Sequence, residues 1–167
     1  MLRRILALAF ACAAAPSFGQ LADANPDWKE VEAPPPPAVR TQGLVAVDMP
    51  SGISLRFGVD PASVSVGADG VVRYVVVASS PTGAVNALYE GLRCESAEVK
   101  VYARHNPDSG WVPSRDAQWQ PLHSRPNSRH SLSIARNGAC VGRGPSGTAS
   151  EIVRSLRTPP EHRFEKR

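Results

Sequence analysis

Seven consecutive residues, Val71-Val72-Arg73-Tyr74-Val75-Val76-Val77, constrain the fold of this chain more than any other stretch. β-Branched and aromatic side chains on both faces of an extended segment need cover on both sides, so the run predicts a central strand of a sheet. One charge, Arg73, interrupts it. Ser63-Val64-Ser65-Val66 stands upstream, joined to the run through Gly67-Ala68-Asp69-Gly70. Asp-Gly between two Val-rich runs reads as a hairpin, because a tight turn needs φ > 0 and these residues tolerate it. Gly43–Met49 alternates loosely, Leu55–Val59 alternates, and Val99–Arg104 alternates cleanly, so each predicts a strand. Residues 84–94 are ambiguous: Val85, Leu88, Tyr89 and Leu92 fit helical spacing. Gly91 weakens a helix there by about 1 kcal/mol, and the short polar link Glu95–Glu98 suits a hairpin to the next strand. We read 84–94 as a strand.

Helix signals collect near the C-terminus. His130–Asn137 predicts a short helix stopped by Gly138. Thr148-Ala149-Ser150-Glu151 is a capping box, in which the Thr hydroxyl and the Glu carboxylate each satisfy a free backbone N–H. Ile152, Val153 and Leu156 form the buried stripe of that last helix. Arg154 and Arg157 suit its final turn, where the helix dipole favours cations, and Pro159-Pro160 ends it. The fold class expected is α+β: a mainly antiparallel sheet of five or six strands with one or two C-terminal helices. A β-sandwich is the alternative.

The N-terminus reads as an export signal. Arg3 and Arg4 precede an apolar run from Ile5 to Ala15, too short for the roughly 20 residues that span a bilayer. Ser17 and Gly19 are the small residues a signal peptidase prefers, which places the cut after Gly19. A cut after Ala15 would leave Pro16 next in line, and a lipoprotein cut before Cys12 is disfavoured by Phe10; an uncleaved anchor is the remaining alternative. Residues 1–19 are thus expected to be the signal peptide. Residues 20–42, with Pro34-Pro35-Pro36-Pro37, are expected to be a Pro-rich linker, read as a spacer rather than as a ligand for a partner. Residues 43–157 form the single domain, long enough for one core, and 158–167 a disordered charged tail. No transmembrane segment is expected once the signal is removed, and the expected location is the periplasm.

Cysteines stand at 12, 94 and 140. The first leaves with the signal, and the two that remain admit a single pairing in a compartment that permits disulfides, so Cys94–Cys140 is predicted. No CxxC, CxxCH or Cys/His cluster appears, which removes the usual signatures of zinc, haem attachment and thiol redox chemistry; no metal and no cofactor is expected. Beyond the signal, 17 basic and 15 acidic groups remain, a near neutrality that argues against nucleic acid as a partner. The halves differ, however. Residues 20–99 carry 5 basic and 10 acidic groups, and residues 100–167 carry 12 and 5. Either the halves attract each other or the second presents a basic face to an acidic partner.

The polar stretch 105–127 holds most of the residue types that carry chemistry. Trp111 and Trp119 offer flat apolar faces, and Arg104, Arg115 or Arg129 could hold an acidic group beside them. The competing reading folds both tryptophans back onto the sheet. The candidate ligand-binding set is Arg104, Trp111, Trp119, Arg129 and His130. For a nucleophilic triad the ingredients are His105, Asp108, His130 and several serines, but no serine sits in a GxSxG elbow. Glycines 142, 144 and 147 lack phosphate-loop spacing.

Asp27-Trp28-Lys29-Glu30 before a Pro-rich stretch, Leu55–Asp60, Gly70–Tyr74, Tyr89-Glu90-Gly91-Leu92-Arg93-Cys94, Val101-Tyr102-Ala103, Trp119 and the Cys140 region together resemble the cryptic neisserial protein-like family. The resemblance covers roughly 27–157, with Tyr-Glu-Gly-x-Arg-Cys its most specific part. It implies an exported proteobacterial domain with no assigned reaction, and it carries over no catalytic residue. The function expected is a non-enzymatic envelope module that binds a protein or an acidic ligand; a small periplasmic hydrolase using 105–130 is the alternative.

Overall fold

The computed structural model describes residues 25–123 and 129–158. The expected signal peptide, the start of the linker and nearly all of the tail lie outside them. Val71–Ser79 forms strand β4, and it pairs along its whole length with β5, Val85–Arg93. The ambiguous segment is therefore a strand. Its pairing places Gly91 opposite Arg73, and a Cβ on Gly91 would stand 2.7 Å from the Tyr102 hydroxyl and 2.9 Å from Val71. The glycine that weakens a helix here makes room for a side chain packed on the sheet.

All pairings are antiparallel. The sheet runs β1 (Val45–Val47), β2 (Arg56–Val59), β4, β5, β6 (Glu98–Asn106) and β7 (Gly110–Pro113). Two-residue strands β3 (Ser65–Val66) and β8 (Gln120–Pro121) add to β4 and β6. The path has the six strands expected, eight with the short additions. The Asp-Gly hairpin forms as read: Val66 opposes Val72, and Gly70 has φ 74°. A separate two-stranded ribbon pairs β9 (Cys140–Val141) with β10 (Gly144–Pro145).

Alternation along β4 divides the core in two. Val72, Tyr74 and Val76 join Leu92, Val99, Ile134 and Ile152 in the larger cluster. Ile134 ends helix α1, Arg129–Ile134, and Ile152 lies in helix α2, Ala149–Arg157. After α1 the chain makes one wider turn and stops at Gly138, whose φ is 139° and whose absent Cβ would stand 2.7 Å from Ser155 Cβ. The capping box at Thr148 and Glu151 is complete. The helices cover one face of one sheet, so the architecture is α+β and not a sandwich.

On the other face, Val75 and Val77 cluster with Ala87, Tyr89 and Ala103, and no described helix covers them. Their cover is the N-terminal segment, which corrects the reading of the Pro-rich stretch as a spacer. Glu30, Ala33, Pro36 and Val39 are half-buried, and every residue between them is exposed. That period of three is the period of a polyproline helix. Ala33, Val39 and Leu44 pack on the smaller cluster. Prolines remove hydrogen-bond donors and stiffen the chain, but they leave it a face, and this face lies on the sheet. Polar contacts fasten it. Trp28 Nε1 donates to the Asp69 carbonyl at 2.9 Å, and Trp111 Nε1 donates to the Pro37 carbonyl at 2.8 Å. Arg73 Nη2 donates to the Val31 carbonyl at 2.8 Å.

Cys94, just past β5, is bonded to Cys140 of β9, with 5.6 Å between their Cα atoms. The disulfide joins the sheet to the segment between the two helices, as predicted. No described helix is long and apolar enough to cross a membrane.

Candidate functional site

A register shift in the β5–β6 pairing falls between Tyr89 and Glu90. Glu90 is 1% exposed, on the helix-covered face. A bare carboxylate there would be costly, and three side chains compensate it. Tyr74 Oη donates at 3.0 Å and Ser131 Oγ at 3.1 Å to one carboxylate oxygen, and His130 Nε2 lies 3.0 Å from the other. An ionised carboxylate only accepts, so Nε2 carries the hydrogen. Phe57 of β2 stacks on the imidazole, with centroids 4.8 Å apart and planes 6° from parallel. Burial pushes the Glu90 pKa up; the charge of His130 and the hydrogen bonds from His130, Tyr74 and Ser131 outweigh it and hold the carboxyl below its ordinary range. Burial and the neighbouring Glu90 raise the Tyr74 phenol well above its usual value, so it stays a donor.

This cluster forms the inner end of an open cavity of about 1110 Å³. Leu88 of β5 with Val99 and Val101 of β6 line its floor, and Leu55 and Phe57 form a wall. Three arginines from three segments stand on its rim: Arg104 of β6, Arg115 after β7, and Arg129 at the start of α1. All three are exposed, and Asp116 is the acidic residue beside them.

Arg104, Arg129 and His130 of the candidate ligand set thus meet at one cavity. Trp111 and Trp119 do not line it. Trp111 lies edge-on to Tyr89 and His105 and under Pro37, and Trp119 donates from Nε1 to Glu30 at 3.1 Å and lies edge-on to Trp28. Both tryptophans are tied to the N-terminal strap, residues 28–39, rather than turned to the cavity. The catalytic ingredients are not assembled either. His105 lines the cavity, but Asp108 sits in the β6–β7 turn, its N–H donating to Asn106 Oδ1. His130 and Ser131 both donate to Glu90, so the imidazole is not placed to take the serine proton. Among the described residues no group of three His, Cys, Asp or Glu side chains could hold a metal ion.

The role of two buried charges, Glu90 and Arg73, was not legible in the sequence. Glu90 stands in the ambiguous segment 84–94; the β4–β5 register sets Tyr74 opposite it, and the packing of α1 brings His130 to it. Arg73 was visible as an anomaly. Its guanidinium forms a two-point contact with Asp69, at 3.2 and 2.7 Å, roofed by the strap carbonyl of Val31.

The model of the CNP1-like family matches residues 23–157. The chain belongs to that family. The match starts upstream of the strap and ends at the last turn of α2, so the CNP1-like domain includes the Pro-rich segment that packs on the sheet. Neither a curated protein nor a solved structure matches the chain.

Proposed function

We propose that this CNP1-like domain is an exported, non-enzymatic binding module that takes an acidic ligand in the cavity between β5, β6 and α1. The observation that carries the reading is the convergence of Arg104, Arg115 and Arg129 on one partly apolar cavity, opposed at the rim, among the described residues, only by Asp116. Guanidinium groups offer planar, two-point recognition of carboxylates and phosphates. The buried charge of the lining is already matched, Glu90 by His130, Tyr74 and Ser131, which leaves the arginines as the cationic groups available to a ligand. Export is supported by the signal-like residues 1–19 and by the disulfide, which suits an oxidising compartment. Native mass spectrometry of the exported protein, recovered without denaturation, tests the reading. An anionic adduct that disappears from an Arg104→Glu, Arg129→Glu double variant is the expected result. Ester or peptide hydrolysis that depends on His130 in a folded variant series would overturn it.

A further inference from the structure

We propose that the ligand is an acidic peptide segment of a partner protein, with apolar side chains along one face. The inference rests on the reading of the cavity as an acidic-ligand site and goes on to its occupant. Size is the first argument. At about 1110 Å³ the open cavity stands at the top of the roughly 300–1,000 Å³ typical of small-molecule pockets, with room for a peptide segment. Charge is the second. Among the described residues Arg104, Arg115 and Arg129 form no ion pair with a carboxylate, and Asp116 is the acid beside them on the rim. Three cations against one anion call for a ligand with more than one negative charge, which a single-headed amphiphile lacks. The lining supplies the third argument. Leu55 is 39% exposed and Val112 is 45% exposed, both on the walls of the cavity, and Leu88 and Val101 lie below them. A purely hydrophilic polyanion would leave that surface wet. A peptide that alternates acidic and apolar residues satisfies both parts of the lining: its apolar side chains enter the cavity and its carboxylates meet the rim.

Isothermal titration of the folded protein, with three synthetic peptides and laurate as probes, tests the proposal. One peptide alternates Leu and Glu, one alternates Leu and Lys, and one is Glu throughout. The expected result is saturable binding of the Leu/Glu peptide, weakened at least about tenfold by Arg104→Glu with Arg129→Glu and by Val112→Glu. The Leu/Lys peptide gives no binding, and the all-Glu peptide binds at least about tenfold more weakly than Leu/Glu. All substituted residues are exposed, and circular dichroism checks that each variant folds. Should laurate or the all-Glu peptide bind as well as Leu/Glu, with the same arginine dependence, the peptide assignment is overturned and the acidic-ligand site stands. Failure of every anionic probe to bind overturns both.

Discussion

Glu90 shows at the scale of one residue how this domain tolerates a buried charge. Its carboxylate is matched by His130, Tyr74 and Ser131, so removing the charge leaves three donors facing a poorer acceptor. Glu90→Gln should destabilise the fold by about 3 kcal/mol at neutral pH, as expected when one partner of a buried ion pair is lost. Chemical denaturation measures it. The pH dependence has a definite sign. The folded-state pKa of Glu90 lies below that of the unfolded chain, so its stabilisation is present above the unfolded carboxyl value and is lost as pH falls through the folded value. The stability gap between wild type and Glu90→Gln should therefore hold from neutral pH down to about pH 5 and narrow below about pH 4. A gap that widens on acidification would contradict this. Asp69 makes a parallel case, its side chain fully buried against Arg73. Asp69→Ala strands that guanidinium and should cost about 3–5 kcal/mol in the same assay, whereas Asp69→Ala combined with Arg73→Met should recover part of the loss.

Among the elements, the strap is the one whose role the sequence concealed. It is held at several places along its length, the Arg73–Val31 contact among them. Trp28 lies under the Arg93 guanidinium, 3.9 Å from ring centroid to Cζ. Glu30 accepts from Lys100 at 2.8 Å, from Tyr102 at 2.7 Å and from Trp119 at 3.1 Å. Burial raises the Glu30 pKa, but those hydrogen bonds and the charge of Lys100 bring it below the ordinary range. Pro37 accepts from Trp111. Trp28→Ala should cost about 2 kcal/mol, less than a fully buried Trp because the ring is half-exposed. A chain that begins at Gly43 loses all of these anchors and bares Tyr89, Val75 and Val77. It should melt at lower temperature than one that begins at Gln20, with a red-shifted tryptophan emission as Trp111 and Trp119 meet water. Equal melting temperatures for the two would mean that the strap adds nothing to stability.

For the molecule as a whole, the covalent tie and the site of processing matter most. Cys94 and Cys140 are separated by 46 positions, and a loop of that size constrains the unfolded chain by roughly 4 kcal/mol in the chain-entropy model. Reductant should lower the melting temperature of the disulfide-bonded protein, and Cys94→Ser should leave Cys140 open to thiol reagents. Identical melts with and without reductant would remove the structural role. N-terminal sequencing of the exported form should start near Gln20; a start at Met1, or an acylated start at Cys12, would overturn the processing proposal.

How much of this was legible depends on how far apart the interacting residues lie in the chain. Most strands were readable because alternation, the two-faced apolar run of β4 and the Asp-Gly turn act within a few residues, and the last helix because its capping box spans four. The disulfide was readable because only one pairing was available. The Tyr89/Glu90 register shift, the partnership of Glu90 with residues 16, 40 and 41 positions away, and the landing of Trp111 on Pro37 at a separation of 74 have no local signal. Only the tertiary structure decided them, because they are settled by which face of which strand the chain returns to. The same reason moved the two tryptophans out of the candidate site and left Arg104, Arg129 and His130 in it. Sequence alone pointed to an α+β fold, with a β-sandwich as the alternative, and determined the residue types available for chemistry. Packing across the sheet determined which of them face water together.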